Sequence, residues 1–271
     1  MPSFRIASSL LCLVLSTGAF AQDTPSGDQA ANAADLAKKL NNPVAALVSV
    51  PFQSNWDFGI GEAGAQRYLL NVQPVVPVSI SGDLNLILRT IVPFVSAQSP
   101  VPGGSTTSGL GDIVQSFFIS PKEPTKGGWI VGAGPVLLYP TATERTLGSG
   151  MWGAGPTAVV LKQENGFTYG LLANQIWSFA GWGTTNVNAI FLQPFVAFTT
   201  KKFTTFGLNT ESTYDWNASQ WTVPVNLSIT QMLKVKGQIL SLQAGYKYYA
   251  EKPAGGPRDG FRFAITLVFP R

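Results

Sequence analysis

Any chemistry in this chain has to come from single charged residues set into alternating runs. Asp57, Arg89, Glu211, Lys247 and Arg262 stand on the polar parity of such runs, with amides at Gln53, Asn55, Asn71, Gln73, Asn85, Asn226 and Gln243. A strand turns successive side chains to opposite faces, so these residues can share one face of a sheet. Arg89, Lys247 and Arg262 on such a face would favour anions, with Asp57 and Glu211 opposing them. Alternatively the charges pair with one another and hold the structure shut. Asp57 and Glu211 could also meet as a paired acid, the one hydrolytic arrangement open to the chain. It has no histidine, and its single cysteine, Cys12, lies in an N-terminal export signal. Disulfides, thiol nucleophiles and His-bearing metal or catalytic sites are therefore excluded. The residues point away from an enzyme and from any cofactor.

The export signal is read from Arg5, an apolar run from Ser8 to Phe20, and the small-x-small site Ala19-Phe20-Ala21. That pattern predicts cleavage after Ala21. The apolar run is short for a membrane helix of about 20 residues. Charged residues make up 12% of the chain, about half the usual share of a soluble domain. No later run is long enough for a spanning helix. Strands with one lipid face and one lumen face reconcile few charges with modest hydropathy, because only half of each strand need be apolar. The formal charge of +4 is spread over turns without a basic cluster, which gives no footprint for nucleic acid.

Residues 22–43 read as a flexible periplasmic leader, with a short helical turn over Asp35–Leu40 stopped by Asn41-Asn42-Pro43. Residues 44–271 read as an all-β, antiparallel, up-and-down transmembrane barrel of about twelve strands, an even count as bacterial barrels require. The runs are Leu47–Ile60, Arg67–Ile80, Leu84–Ala97, Gly109–Ser120, Gly128–Tyr139 and Met151–Lys162. They continue as Phe167–Phe179, Val187–Thr199, Phe203–Tyr214, Gln220–Met232, Gln238–Tyr249 and Gly260–Phe269. With the N-terminus in the periplasm, the connections alternate between short lysine-bearing turns and longer loops rich in Gly, Ser, Thr and Pro. The apolar parity is expected to face lipid, and the tryptophans to form an interfacial girdle near strand ends. In Phe167–Phe179 the adjacent Asn174 and Gln175 break the pattern, so one of them must sit near an interface or mark a bulge.

Proline opposes this reading. Pro74, Pro77, Pro93, Pro135, Pro156, Pro194 and Pro224 fall inside the runs, yet proline donates nothing to a ladder and a closed barrel has no edge. Gly132-Ala-Gly-Pro135 recurs as Gly153-Ala-Gly-Pro156, and Val72-Gln-Pro74 is echoed by Leu192-Gln-Pro194. Bulges or local breaks are predicted at these points.

The segments Leu40–Gly61, Leu70–Pro77, Asn85–Pro93, Gly109–Ile113 and Phe261–Pro270 resemble a family of outer-membrane transporters. Some of its members carry a label linking them to the meta-pathway of phenol degradation. The resemblance implies a small outer-membrane barrel that passes small molecules, and it assigns no functional residue. It also implies outer-membrane lipid and the barrel assembly machinery as partners. Outer-membrane proteins usually end in an aromatic residue, whereas here Pro270-Arg271 follow Phe269. The leading expectation is a channel for small solutes, aromatic or hydrophobic ones among them. The alternative is a closed structural or binding barrel.

Overall fold

Alternation along the chain produces strands that hydrogen-bond to their sequence neighbours until the last meets the first. The computed structural model describes residues 36–269. The export signal, its cleavage site, residues 22–35 and Pro270-Arg271 lie outside the described residues. Fifteen strand segments form one antiparallel sheet: β1 (Val48–Ile60), β2 (Ala65–Val72), β3 (Val75–Ser79), β4 (Leu84–Ala97) and β5 (Thr107–Leu110). Next come β6 (Ile113–Pro121), β7 (Trp129–Tyr139), β8 (Met151–Glu164), β9 (Phe167–Gly181) and β10 (Asn188–Thr199). The last are β11 (Thr204–Thr210), β12 (Ser212–Asp215), β13 (Gln220–Val235), β14 (Gln238–Glu251) and β15 (Asp259–Phe269). β2 with β3, β5 with β6, and β11 with β12 each make one crossing, so the chain crosses twelve times. β15 pairs with β1 from Val48↔Phe269 to Phe58↔Asp259, which closes the barrel.

Three of the expected continuous strands are thus divided, and the prolines account for the divisions. Gln73-Pro74 separates β2 from β3, and Gly111-Asp112 beside Pro93 separates β5 from β6. Glu211 separates β11 from β12, flanked by Pro194 on one neighbouring strand and Pro224 on the other. Pro135 and Pro156 are direct cross-strand partners. On its far side each faces a gap in the ladder, between Ser116↔Val136 and Ile119↔Ala133 for one and between Ala154↔Trp177 and Thr157↔Asn174 for the other. A residue with no N–H sits where no N–H is called for. Gly134 and Gly155 repeat the logic, since a Cβ at either would run into the neighbouring carbonyl of Phe117 or Gln175.

Five connections at the barrel end nearest residue 48 are mostly short. Two are two-residue hairpins, Asn165-Gly166 and Lys236-Gly237, whose paired positive φ angles of 49° and 82°, and 49° and 87°, match the right-handed twist of the strands they join. The other end carries the longer loops, including 98–106 and 140–150. All seven tryptophans are exposed on the outer wall or at its rim. Gln175 faces outward beside them, donating to Asn188 Oδ1 at 2.9 Å and accepting from Trp216 Nε1 at 3.1 Å. That is how the Asn174-Gln175 pair is accommodated.

The outer wall is apolar, but the inner wall is only half polar. Ile87, Phe118, Val136, Val159, Leu161 and Leu172 also point inward and are almost wholly buried. The expectation that the apolar parity faces lipid therefore needs correction on β4 to β10, where both parities are apolar. Ile87, Phe118, Val159, Leu161 and Leu172 pack on one another and on Val44, with Phe191 and Phe195 alongside.

Candidate functional site

The lumen is built in three tiers. Nearest the long-loop end, Asp57 on β1 is fully buried and accepts four hydrogen bonds. Arg67 Nε and Nη2 reach its Oδ2 at 3.2 and 2.8 Å, and Lys247 Nζ and the Tyr249 hydroxyl reach its Oδ1 at 3.1 and 2.9 Å. Gly260 lies between Asp57 and Lys247 in register. A side chain there would meet Asp57 Oδ1 at 2.9 Å, so glycine is what lets the ion pair form across the intervening strand.

In the second tier the Arg262 guanidinium forks onto Glu211, with Nη1 and Nη2 each 2.8 Å from a carboxylate oxygen, while its Nε donates to Asn55 Oδ1 at 2.8 Å. Glu211 stands at the β11/β12 break. The row Arg262, Gly245, Ser228, Gly207 runs across four neighbouring strands, and its small members clear the path for the long side chain. Asn226 Nδ2 donates to Asn209 Oδ1 at 2.8 Å, and Asn226 Oδ1 has no partner among the described residues.

The third tier holds the amides. Arg89 Nη2 donates to Gln73 Oε1 at 3.0 Å, Gln73 Nε2 to Gln53 Oε1 at 3.1 Å, and Gln243 Nε2 to Thr230 Oγ1 at 3.2 Å. Arg89 makes no ion pair among the described residues. Glu211, already held by Arg262, acts on it only through space. Asn71 and Asn85 also occupy the lumen parity, opposite Gln53 and Ser120 respectively.

Below these tiers the short-turn mouth is filled by the chain itself. Residues 36–40 form one helical turn, and Leu36, Ala37, Ala45 and Leu47 bury themselves against Met232 and Val268. Val44 enters the apolar patch around Phe118 and Leu161. Asn41 Nδ2 donates to Thr199 Oγ1 at 3.2 Å, and Gln163 Nε2 to the Lys38 carbonyl at 2.8 Å. Over residues 36–43, the described part of the expected leader, the chain is thus packed inside the barrel.

Of the polar residues proposed from the sequence for the lumen, Asn55, Asp57, Gln73, Asn85, Asn226, Lys247 and Arg262 are buried, and the structure joins Asp57 to Lys247, Arg262 to Glu211, and Arg89 to Gln73. It does not join the two carboxylates: each is taken by its own cations, so the paired acid is absent. Sequence reasoning missed Arg67, Tyr249, Gln193 and the whole apolar inner wall. Arg67 faces Asp57 directly across the β1–β2 hairpin, but the register shifts by one between Asp57 and Ile60, so counting back from the Gly61–Gly64 turn sets Tyr68 there instead and hides the pair.

No family model matches the chain, and no curated protein matches it. Among solved structures, an outer membrane channel from Pseudomonas putida F1 is similar with a TM-score of 0.62 and 16% identity, over 82% of this chain and 94% of that one. The KdgM porin in complex with disordered oligogalacturonate is similar at a TM-score of 0.45 and 9% identity, over 82% and 99%. The fold of this chain is that of a small outer-membrane β-barrel. At these identities the likeness extends to fold alone.

Proposed function

We propose that this chain is a passive channel of the bacterial outer membrane that carries small solutes through its lumen, with Arg89 setting the charge preference. The observation that carries the reading is the contrast among the lumen cations. Arg67 and Lys247 share the Asp57 carboxylate and Arg262 holds that of Glu211, while Arg89, with no ion-pair partner among the described residues, offers its charge to whatever passes. A paired charge lends little field to a solute, and an unpaired one in a narrow, low-dielectric passage lends much. Half the inner wall is apolar, which suits solutes with hydrophobic or aromatic surface. That agrees with the sequence resemblance to transporters labelled for phenol degradation. The same reading places the short turns in the periplasm, the tryptophan-rich rim at the outer leaflet, and cleavage after Ala21. Lipid and the assembly machinery are then the chain's standing partners.

The test is single-channel recording of the refolded chain lacking residues 1–21 in a planar bilayer. Discrete steps with anion preference, reversed or abolished by Arg89→Glu, are expected. A second reading, a closed structural barrel, is favoured by the packing of residues 36–47 in the mouth. Inserted, heat-modifiable protein that never conducts would establish it and overturn the channel.

A further inference from the structure

Between Arg89 and the chain that fills the mouth lies a chamber of about 250 Å³. Its walls present Arg89, Gln53, Gln73, Gln193 and Gln243, and its floor is the 40–47 segment, where Leu40, Pro43, Ala45 and Leu47 stand beside the amides of Asn41 and Asn42. Lys39 borders it as well. We propose that this chamber is a binding station for a small monocarboxylate with an apolar body. The carboxylate sits on the Arg89 fork and the body on the floor formed by residues 40–47.

Three observations converge on that chemistry. Guanidinium geometry matches a carboxylate by two parallel N–H donors, and Arg89 spends one donor on Gln73 while no acid pairs with it among the described residues. The glutamine amides around it can orient a second polar group and cannot neutralise the charge. Leucine and proline opposite the cation bury hydrocarbon, which a bare inorganic anion would leave uncovered. The chamber is smaller than the roughly 300–1,000 Å³ of drug-sized sites, so the solute is small. Because its floor belongs to residues 40–47, bound solute and mouth-filling chain touch. Occupancy of the station and seating of that segment are therefore coupled.

This assignment names the solute class of the channel proposed above and rests on that reading. The experiment is calorimetric titration of the detergent-refolded chain with benzoate, benzamide and chloride, beside conductance recordings of the same preparation. Benzoate is expected to bind at least tenfold more tightly than the neutral benzamide and than chloride. Arg89→Gln should remove the preference over benzamide, and Leu47→Asn the preference over chloride. Both variants are checked for heat-modifiable mobility, so that a lost fold is not read as a lost site. Conductance steps with benzoate no better than benzamide, or an Arg89→Gln chain that keeps its preference, would overturn the station and leave the channel standing. Selective benzoate binding without any conductance would support the station while removing the channel.

Discussion

At the long-loop end of the lumen, Asp57 and Glu211 gather Arg67, Lys247, Tyr249 and Arg262 into hydrogen-bonded pairs that stitch one wall strand to another. At the short-turn end, Ile87, Phe118, Leu161 and Val268 meet Leu36, Val44 and Leu47 from a segment that belongs to no strand of the wall. Both ends are filled, but by groups that respond differently to removal. The ion pairs are part of the barrel, and breaking one leaves a buried charge in its wall. The apolar filling is a separate piece of chain held by burial, worth about 1.5–3 kcal/mol for each fully buried Leu or Val, and by a few hydrogen bonds. If the lumen opens, it opens at the short-turn end.

The difference can be broken most directly by deleting residues 36–46. Conductance should rise several-fold while the barrel still shows heat-modifiable mobility; an unchanged step size would mean that the long-loop tier limits passage. Asp57→Asn comes next. It leaves Lys247 and Arg67 without their counter-charge, and truncating one partner of a buried pair costs about 3–5 kcal/mol. The urea midpoint followed by tryptophan fluorescence should fall accordingly. Glu211→Gln should cost less, about 1.5–3 kcal/mol for charge-assisted hydrogen bonds, because Glu211 keeps a quarter of its side chain exposed where Asp57 keeps 1%. Equal losses at the two acids would show that burial does not rank them. The smallest effect on the wall belongs to Leu47→Ala. Its urea midpoint should match the unsubstituted chain, while recordings show more time in the larger conductance state. A lowered midpoint would make the mouth-filling segment a structural member of the barrel.

Much of the barrel was legible because each strand meets two solvents and writes that fact every second residue. The run Phe261, Phe263, Ile265, Leu267, Phe269 against Arg262, Ala264, Thr266, Val268 carries its orientation with it. The inner wall of β4 to β10 was not legible, because apolar residues on both parities read the same whether the second face meets lipid or another part of the chain. Val44 and Leu47 were equally opaque, since a short apolar stretch before a strand does not name what covers it.

The number of crossings, the antiparallel run of neighbouring strands and the alternation of faces along each strand follow from local rules of one strand and its turn, and the sequence determined them. Who pairs with whom inside did not follow. Asp57 and Lys247 are 190 residues apart, and they meet only because β15 closes onto β1 with Gly260 between them. Arg262 reaches Glu211 only because three small residues line up across neighbouring strands. Among the described residues Arg89 has no ion-pair partner because those pairings take Asp57 and Glu211. Such outcomes depend on closure and register, which are properties of the whole ring, and so the tertiary structure alone decided them.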